Sequence, residues 1–213
     1  MSIHRLEETV YAGQAISKAA KALILVHGRA GTPQSILPLA DALAANDFAL
    51  VAPKASQNRW YPEAFIRPKA QNEPDLSSAL GLLKALIAQL NETGIATEKI
   101  ILAGFSQGAC LAGEFMAQNP GRYGGLMMFS GGLIGLGPTV SSSLYSGSLA
   151  GTPVFMGCSD RDFHIALDRF EKSGQILSEL GADVNLKVYP GMDHTIIPEE
   201  ISEAKKIIAG LRS

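Results

Sequence analysis

The residues of this chain that could do chemistry together are one serine, two aspartates and one histidine. Ser106 sits in Gly104-Phe105-Ser106-Gln107-Gly108, the aspartates are Asp160 and Asp162, and His194 closes Tyr189-Pro190-Gly191-Met192-Asp193-His194. A serine hydroxyl is a weak nucleophile until a base takes its proton, and the base needs a carboxylate to orient it. Serine, acid and base in that chain order could carry acyl transfer, provided that Gly-x-Ser-x-Gly forms a turn between a strand and a helix.

The surrounding elements decide whether it does. Residues 99–105 are a short apolar run with strand character, and a small-residue helical pattern follows. Gly104 and Gly108 permit a tight turn that a Cβ on either side would block. Ser106 would then stand at the carboxyl end of a strand and at a helix N-terminus, whose dipole favours developing negative charge. Residues 21–27, 48–52, 125–130, 153–158 and 184–189 read as further strands, most of them unbroken apolar runs of the kind buried on both faces. Residues 7–12 read as a short edge strand, and helical periodicity covers residues 35–45, 75–90, 166–181 and 198–211.

This alternation predicts an α/β fold, a mostly parallel sheet of about six to seven strands with helices on both faces, in one domain spanning residues 1–213. Sites in such sheets lie beyond the carboxyl ends of the strands. The aspartate pair follows the 153–158 strand and His194 follows the 184–189 strand, so three strand ends each supply a needed residue type. Asp160 and Asp162 compete for one position, and either could instead cap the next helix. Of the other histidines, His4 is expected in a mobile terminus, His27 in a structural role at a turn, and His164 in surface or packing contacts.

Two irregular stretches are candidates for the walls of the site. Residues 54–74 hold three prolines and the only tryptophan, Trp60, beside Tyr61. A connection this long is usually functional. Residues 131–148 are rich in glycine and serine, with Leu133, Ile134, Leu136 and Tyr145. About twenty residues between Ser130 and Pro153 are too few for a helical cap. An open, shallow site is predicted, with Trp60, Tyr61 and Leu133 against the substrate, although Trp60 and Tyr61 could equally plug a core edge.

A net charge of −2 and the absence of any basic run argue against nucleic acid or an anionic membrane as the main partner. The apolar segments fall far short of the ~20 residues that span a bilayer. The start, Met1-Ser2-Ile3-His4-Arg5, lacks the apolar centre of a secretory signal. Cys110 and Cys158 do not form a disulfide framework. The expectations are a cytoplasmic address and a small-molecule ester as partner, with a homodimer left open.

With these residues in view, the chain resembles the phospholipase/carboxylesterase family of α/β-hydrolases, which includes acyl-protein thioesterases and small bacterial carboxylesterases. The resemblance rests on Leu25-Val26-His27-Gly28, on Gly104-Phe105-Ser106-Gln107-Gly108, on Gly157-Cys158-Ser159-Asp160-Arg161-Asp162 and on the segment ending at His194. It implies an α/β-hydrolase fold without a cap, and a serine esterase that hydrolyses small or short-chain esters through an acyl-enzyme without metal or cofactor. The family's acid segment reads Asp-x-x-Val/Ile-Pro. Counting back from Ile165 selects Asp162 and counting forward from Gly157 selects Asp160; Asp162 is preferred, although Ala166 stands where the family has proline.

By the same resemblance, the oxyanion hole would be the backbone N–H groups of Arg29 and Gln107. The family usually has an apolar residue at the position of Arg29, so that side chain either meets a polar or anionic substrate or points to solvent. A Cys at position 106 would suit a dienelactone hydrolase instead; Cys110, one turn further on, is expected to pack as a small apolar residue. An acyl-protein thioesterase or lysophospholipase would use the same apparatus, and a non-catalytic binding module on this fold is the alternative from a different class.

Overall fold

The computed structural model describes residues 3–135 and 140–211, so Leu136 of the predicted glycine-rich wall lies outside the described residues. Its frame is a seven-stranded sheet, β1 (Val10–Gly13), β2 (Ala22–Val26), β3 (Ala49–Ala52), β4 (Ile100–Phe105), β5 (Gly125–Phe129), β6 (Pro153–Ser159) and β7 (Asp183–Tyr189). The order is β1-β3-β2-β4-β5-β6-β7, with β1 antiparallel to β3 and every other pair parallel.

The strands read as continuous apolar runs because the sheet is covered on both faces, and successive side chains alternate between them. Ala22, Ile24, Val26, Ile100, Leu102, Leu126, Met128, Val154, Met156 and Cys158 face one core. Helices α3 (Asp75–Glu92), α4 (Gln107–Gln118) and α5 (Leu167–Glu179) cover that face. Leu23, Leu25, Ile101, Ala103, Met127, Phe129 and Phe155 face the other. Two short helices, α1 (Pro33–Ile36) and α2 (Pro38–Ala42), and the C-terminal α6 (Pro198–Gly210) cover it. This is the α/β-hydrolase fold.

Two predicted elements differ. The single helix expected over residues 35–45 is broken into α1 and α2, because Pro38 has no N–H to continue the ladder and instead opens the second piece. His4 is not in a loose terminus but 2% exposed. Its Nδ1 accepts from Ser56 N–H at 3.0 Å and its Nε2–H donates to the Trp60 carbonyl at 3.0 Å. Between β5 and β6 the described residues form one helical turn, Ser142–Leu144, and no inserted helical layer.

Candidate active site

The centre of the sheet and the glycines around Ser106 present that side chain. Ser106 N–H continues the β4–β5 ladder by donating to the Phe129 carbonyl at 2.9 Å, after which the chain turns directly into α4. The turn is tight enough that a Cβ at Gly104 would lie 2.6 Å from Ala109 N. One at Gly108 would lie 2.5 Å from the His27 carbonyl oxygen and closer still to that of Val26. Helix α4 therefore starts in contact with the end of β2, which brings the loop at Gly28–Arg29 against the elbow. Ser106 itself has φ 54° and ψ −120°, a conformation that costs a residue with a Cβ of the order of 1–3 kcal/mol.

The other two predicted side chains meet it. His194 Nε2 lies 2.9 Å from Ser106 Oγ, and His194 Nδ1 lies 2.6 Å from Asp162 Oδ2. The Asp162 carboxyl group is wholly buried. Burial pushes its pKa up, but hydrogen bonds from His194 and from the backbone N–H groups of His164 and Ile165 outweigh that and leave it below the ordinary carboxylate value. An ionised Asp162 can only accept, so the imidazole proton sits on Nδ1 and the Nε2 lone pair faces the serine O–H. The His194 ring is flanked by Phe105 at 5.0 Å and by His164 at 4.7 Å between centroids.

Asp160 is separated from this line by its own task. Its Oδ1 accepts from Gly191 N–H at 2.7 Å, at a glycine with φ 70° in the loop that carries His194. One aspartate therefore holds the imidazole and the other holds the turn three residues before it.

A cleft of about 500 Å³ opens over Ser106 and His194. Arg29, Gln107, Tyr61, Phe65 and Ile165 are among its lining residues, with Gly28 and Cys110. Tyr61 is at the cleft wall, though only 1% exposed. Trp60 and Leu133 are not among the lining residues, which corrects the expectation that both face the substrate. Trp60 is wholly buried because its indole N–H donates to the His27 carbonyl at 2.7 Å, and its backbone N–H donates to Gln107 Oε1 at 2.9 Å. It plugs the core edge behind the wall. Leu133 is drawn inward by α5: its N–H donates to Ser173 Oγ at 2.9 Å and its carbonyl accepts from the buried Arg169 guanidinium.

Three contributors went unread in the sequence. The Gln107 side chain bridges the elbow to the 54–74 loop, accepting from Trp60 N–H and donating to the Tyr61 carbonyl at 2.8 Å. The Arg29 guanidinium, exposed at the cleft, is tied to the 54–74 loop, where its Nη2 donates to the carbonyls of Tyr61, Pro62 and Glu63 at 2.8–3.1 Å. The buried Glu114 ties both walls together, accepting from Lys69, Ile134 N–H and the Tyr145 hydroxyl. A residue pattern shows none of these, because each is a contact between segments distant in the chain. His27 shapes its turn as expected, with Nδ1–H on the Gly28 carbonyl at 2.8 Å and Nε2 accepting from Ala55 N–H. Cys110 is buried, and its thiol is pushed up to about 12, so it packs as a neutral side chain.

Behind the sheet, Glu200 anchors the far end of the His194 loop. Its Oε2 accepts from Ile197 N–H at 3.0 Å, while Oε1 is buried against Gly157 without a hydrogen-bond partner. Burial, reinforced by Glu199, pushes the carboxyl up to about 7. The fold thus favours the neutral acid, whose stabilising contribution is complete below the ordinary glutamate value of 4.5 and is lost as pH rises through about 7. The variant Glu200→Gln keeps the acceptor for Ile197 but carries no charge. It is expected to be more stable than the parent by roughly 2–3 kcal/mol at pH 8, with the gain gone at pH 4.5, read from urea unfolding at the two pH values.

The family model described as Phospholipase/Carboxylesterase matches residues 9–211. The chain belongs to the phospholipase/carboxylesterase family. Among solved structures of this fold, a phospholipase/carboxylesterase from Dyadobacter fermentans is 39% identical with a TM-score of 0.93, covering 98% of this chain and 99% of that one. Among curated proteins, acyl-protein thioesterase 1 of Gibberella zeae is 33% identical over 58% of this chain and 52% of its own length. A probable carboxylesterase of Oryza sativa is 28% identical over 67% of this chain and 61% of its own. The chain thus spans between about half and three fifths of the length of those two curated relatives. No helix among the described residues is long and apolar enough to cross a membrane.

Proposed function

We propose that this protein is a serine carboxylesterase that hydrolyses small or short-chain carboxylic esters through a covalent acyl-enzyme. The observation that carries this reading is the unbroken line from Ser106 Oγ through His194 to the buried Asp162, opening on the cleft. In this mechanism His194 takes the Ser106 proton as the oxygen attacks the ester carbonyl, and Asp162 holds the imidazole in the needed tautomer and stabilises the imidazolium. The backbone N–H groups of Arg29 and Gln107 receive the oxyanion, each contributing on the order of 3 kcal/mol to the barrier reduction. His194 then protonates the leaving alcohol, and water repeats the sequence on the acyl-enzyme.

The wall of Tyr61, Phe65 and Ile165 gives the open cleft an apolar face for the acyl group. The fungal relatives named acyl-protein thioesterases make the thioesterase reading the alternative. A fluorophosphonate probe is expected to add once, at Ser106, and p-nitrophenyl acetate and butyrate to be turned over faster than the palmitate ester. An unlabelled protein would support a binding module instead, and faster cleavage of palmitoyl thioesters would support the thioesterase.

A further inference from the structure

Asp162 Oδ2 carries a second donor besides His194. Cys158, the penultimate residue of β6, places its Sγ 3.8 Å from that oxygen, within reach for a sulfur donor. The residue is wholly buried on the face covered by α3, α4 and α5, and it is not among the residues lining the cleft. Burial and the neighbouring Asp162 charge push its thiol up to about 12, so the sulfur keeps its proton at neutral pH and has one to donate. Beside it lies the hydroxyl of Ser130, buried and without a hydrogen-bond partner. Ser130 holds φ 52° at the end of β5, where its N–H donates to the Gly157 carbonyl at 2.8 Å. The geometry thus gives the aspartate a second, internal donor, Cys158 S–H to Asp162 Oδ2, on the side away from the cleft.

We propose that Cys158 is a positioning residue for the active site, a thiol that shares the charge of Asp162 with His194. The proposal rests on the reading of Ser106, His194 and Asp162 as the working triad. A donor on the same carboxylate oxygen reduces the charge available to the imidazole Nδ1–H. With the donor removed, Asp162 supports the imidazolium more strongly, and the base gives up its proton only at higher pH. A cysteine acting by packing alone would change stability without moving that ionisation.

The test is the pH profile of kcat/KM for an ester substrate in Cys158→Ala and in Cys158→Val, which refills the space without a donor. Both are expected to shift the acid limb to higher pH, so that activity at the foot of the limb falls roughly two- to threefold against the plateau, in keeping with a weak S–H donor. Should either variant fail to fold, the infrared S–H stretch decides. The Cys158 band is expected at lower frequency than that of Cys110 and to rise in Asp162→Asn, where the acceptor charge is gone. An acid limb unmoved in the folded variants, or a thiol band indifferent to Asp162→Asn, would overturn the role of Cys158 while leaving the triad intact. Retained turnover in Ser106→Ala would instead overturn the triad on which the proposal rests.

Discussion

Alanine at position 106 is expected to reduce kcat for p-nitrophenyl acetate by about a millionfold, the scale seen when the nucleophile of a serine hydrolase is removed. His194→Ala should do the same, and the double variant should be scarcely worse, because nucleophile and base act as one unit. The structure adds a second reading that separates a reacting serine from a turn-forming one. With φ 54° and ψ −120°, Ser106 occupies backbone space that suits glycine, and its side chain makes no capping hydrogen bond to α4. Ser106→Gly should therefore be inactive and yet more stable than the parent by about 1 kcal/mol, measured by urea unfolding. A serine kept only for the turn would make that substitution harmless to turnover. Inactivity combined with a gain in stability is the signature of strain retained for chemistry.

The parts of the molecule legible in the sequence are those in which local pattern and burial coincide. The apolar run at residues 21–27 becomes β2, buried throughout, and residues 99–105 become β4, because a strand covered on both faces has only apolar neighbours to satisfy. Leu76, Leu80, Leu83, Ile87 and Leu90 point to α3, and all are buried on it except Leu80, which is half-buried. The convergence of Ser106, the aspartate pair and His194 is legible for a related reason: parallel topology sends successive strand ends to one edge of the sheet. What the pattern could not give is the wall of the cleft. Trp60 reads as an aromatic in a loop whether it faces substrate or core, and its indole N–H on the His27 carbonyl decides the matter across 33 residues of chain. His4 misled for the same reason, since two hydrogen bonds to the 54–74 loop override the usual looseness of a terminus. The motif around Gln107 points only to its backbone N–H, and the type of Arg29 leaves its side chain open, whereas both side chains hold that same loop in place.

The two aspartates, which sequence counting left in competition, should separate sharply on substitution. Asp162→Asn is expected to lower kcat by about four orders of magnitude with little change in fold, since the amide keeps the shape but can offer N–H to the imidazole and favour the wrong tautomer. The loss should be deep because this carboxyl is wholly buried, so no water can substitute as acceptor for His194 Nδ1–H. Asp160→Asn should behave differently. Its task is to accept the Gly191 N–H through Oδ1, and the asparagine carbonyl oxygen can do that equally well. Removing the acceptor altogether in Asp160→Ala frees the turn three residues before His194, and a loss of about tenfold in kcat is expected from the looser placement of the base. Steady-state kinetics on the three variants tests the division of labour. If Asp160→Asn proved as damaging as Asp162→Asn, the acid would have to be reassigned, and the 2.6 Å contact between Asp162 and His194 would be no more than a resting arrangement.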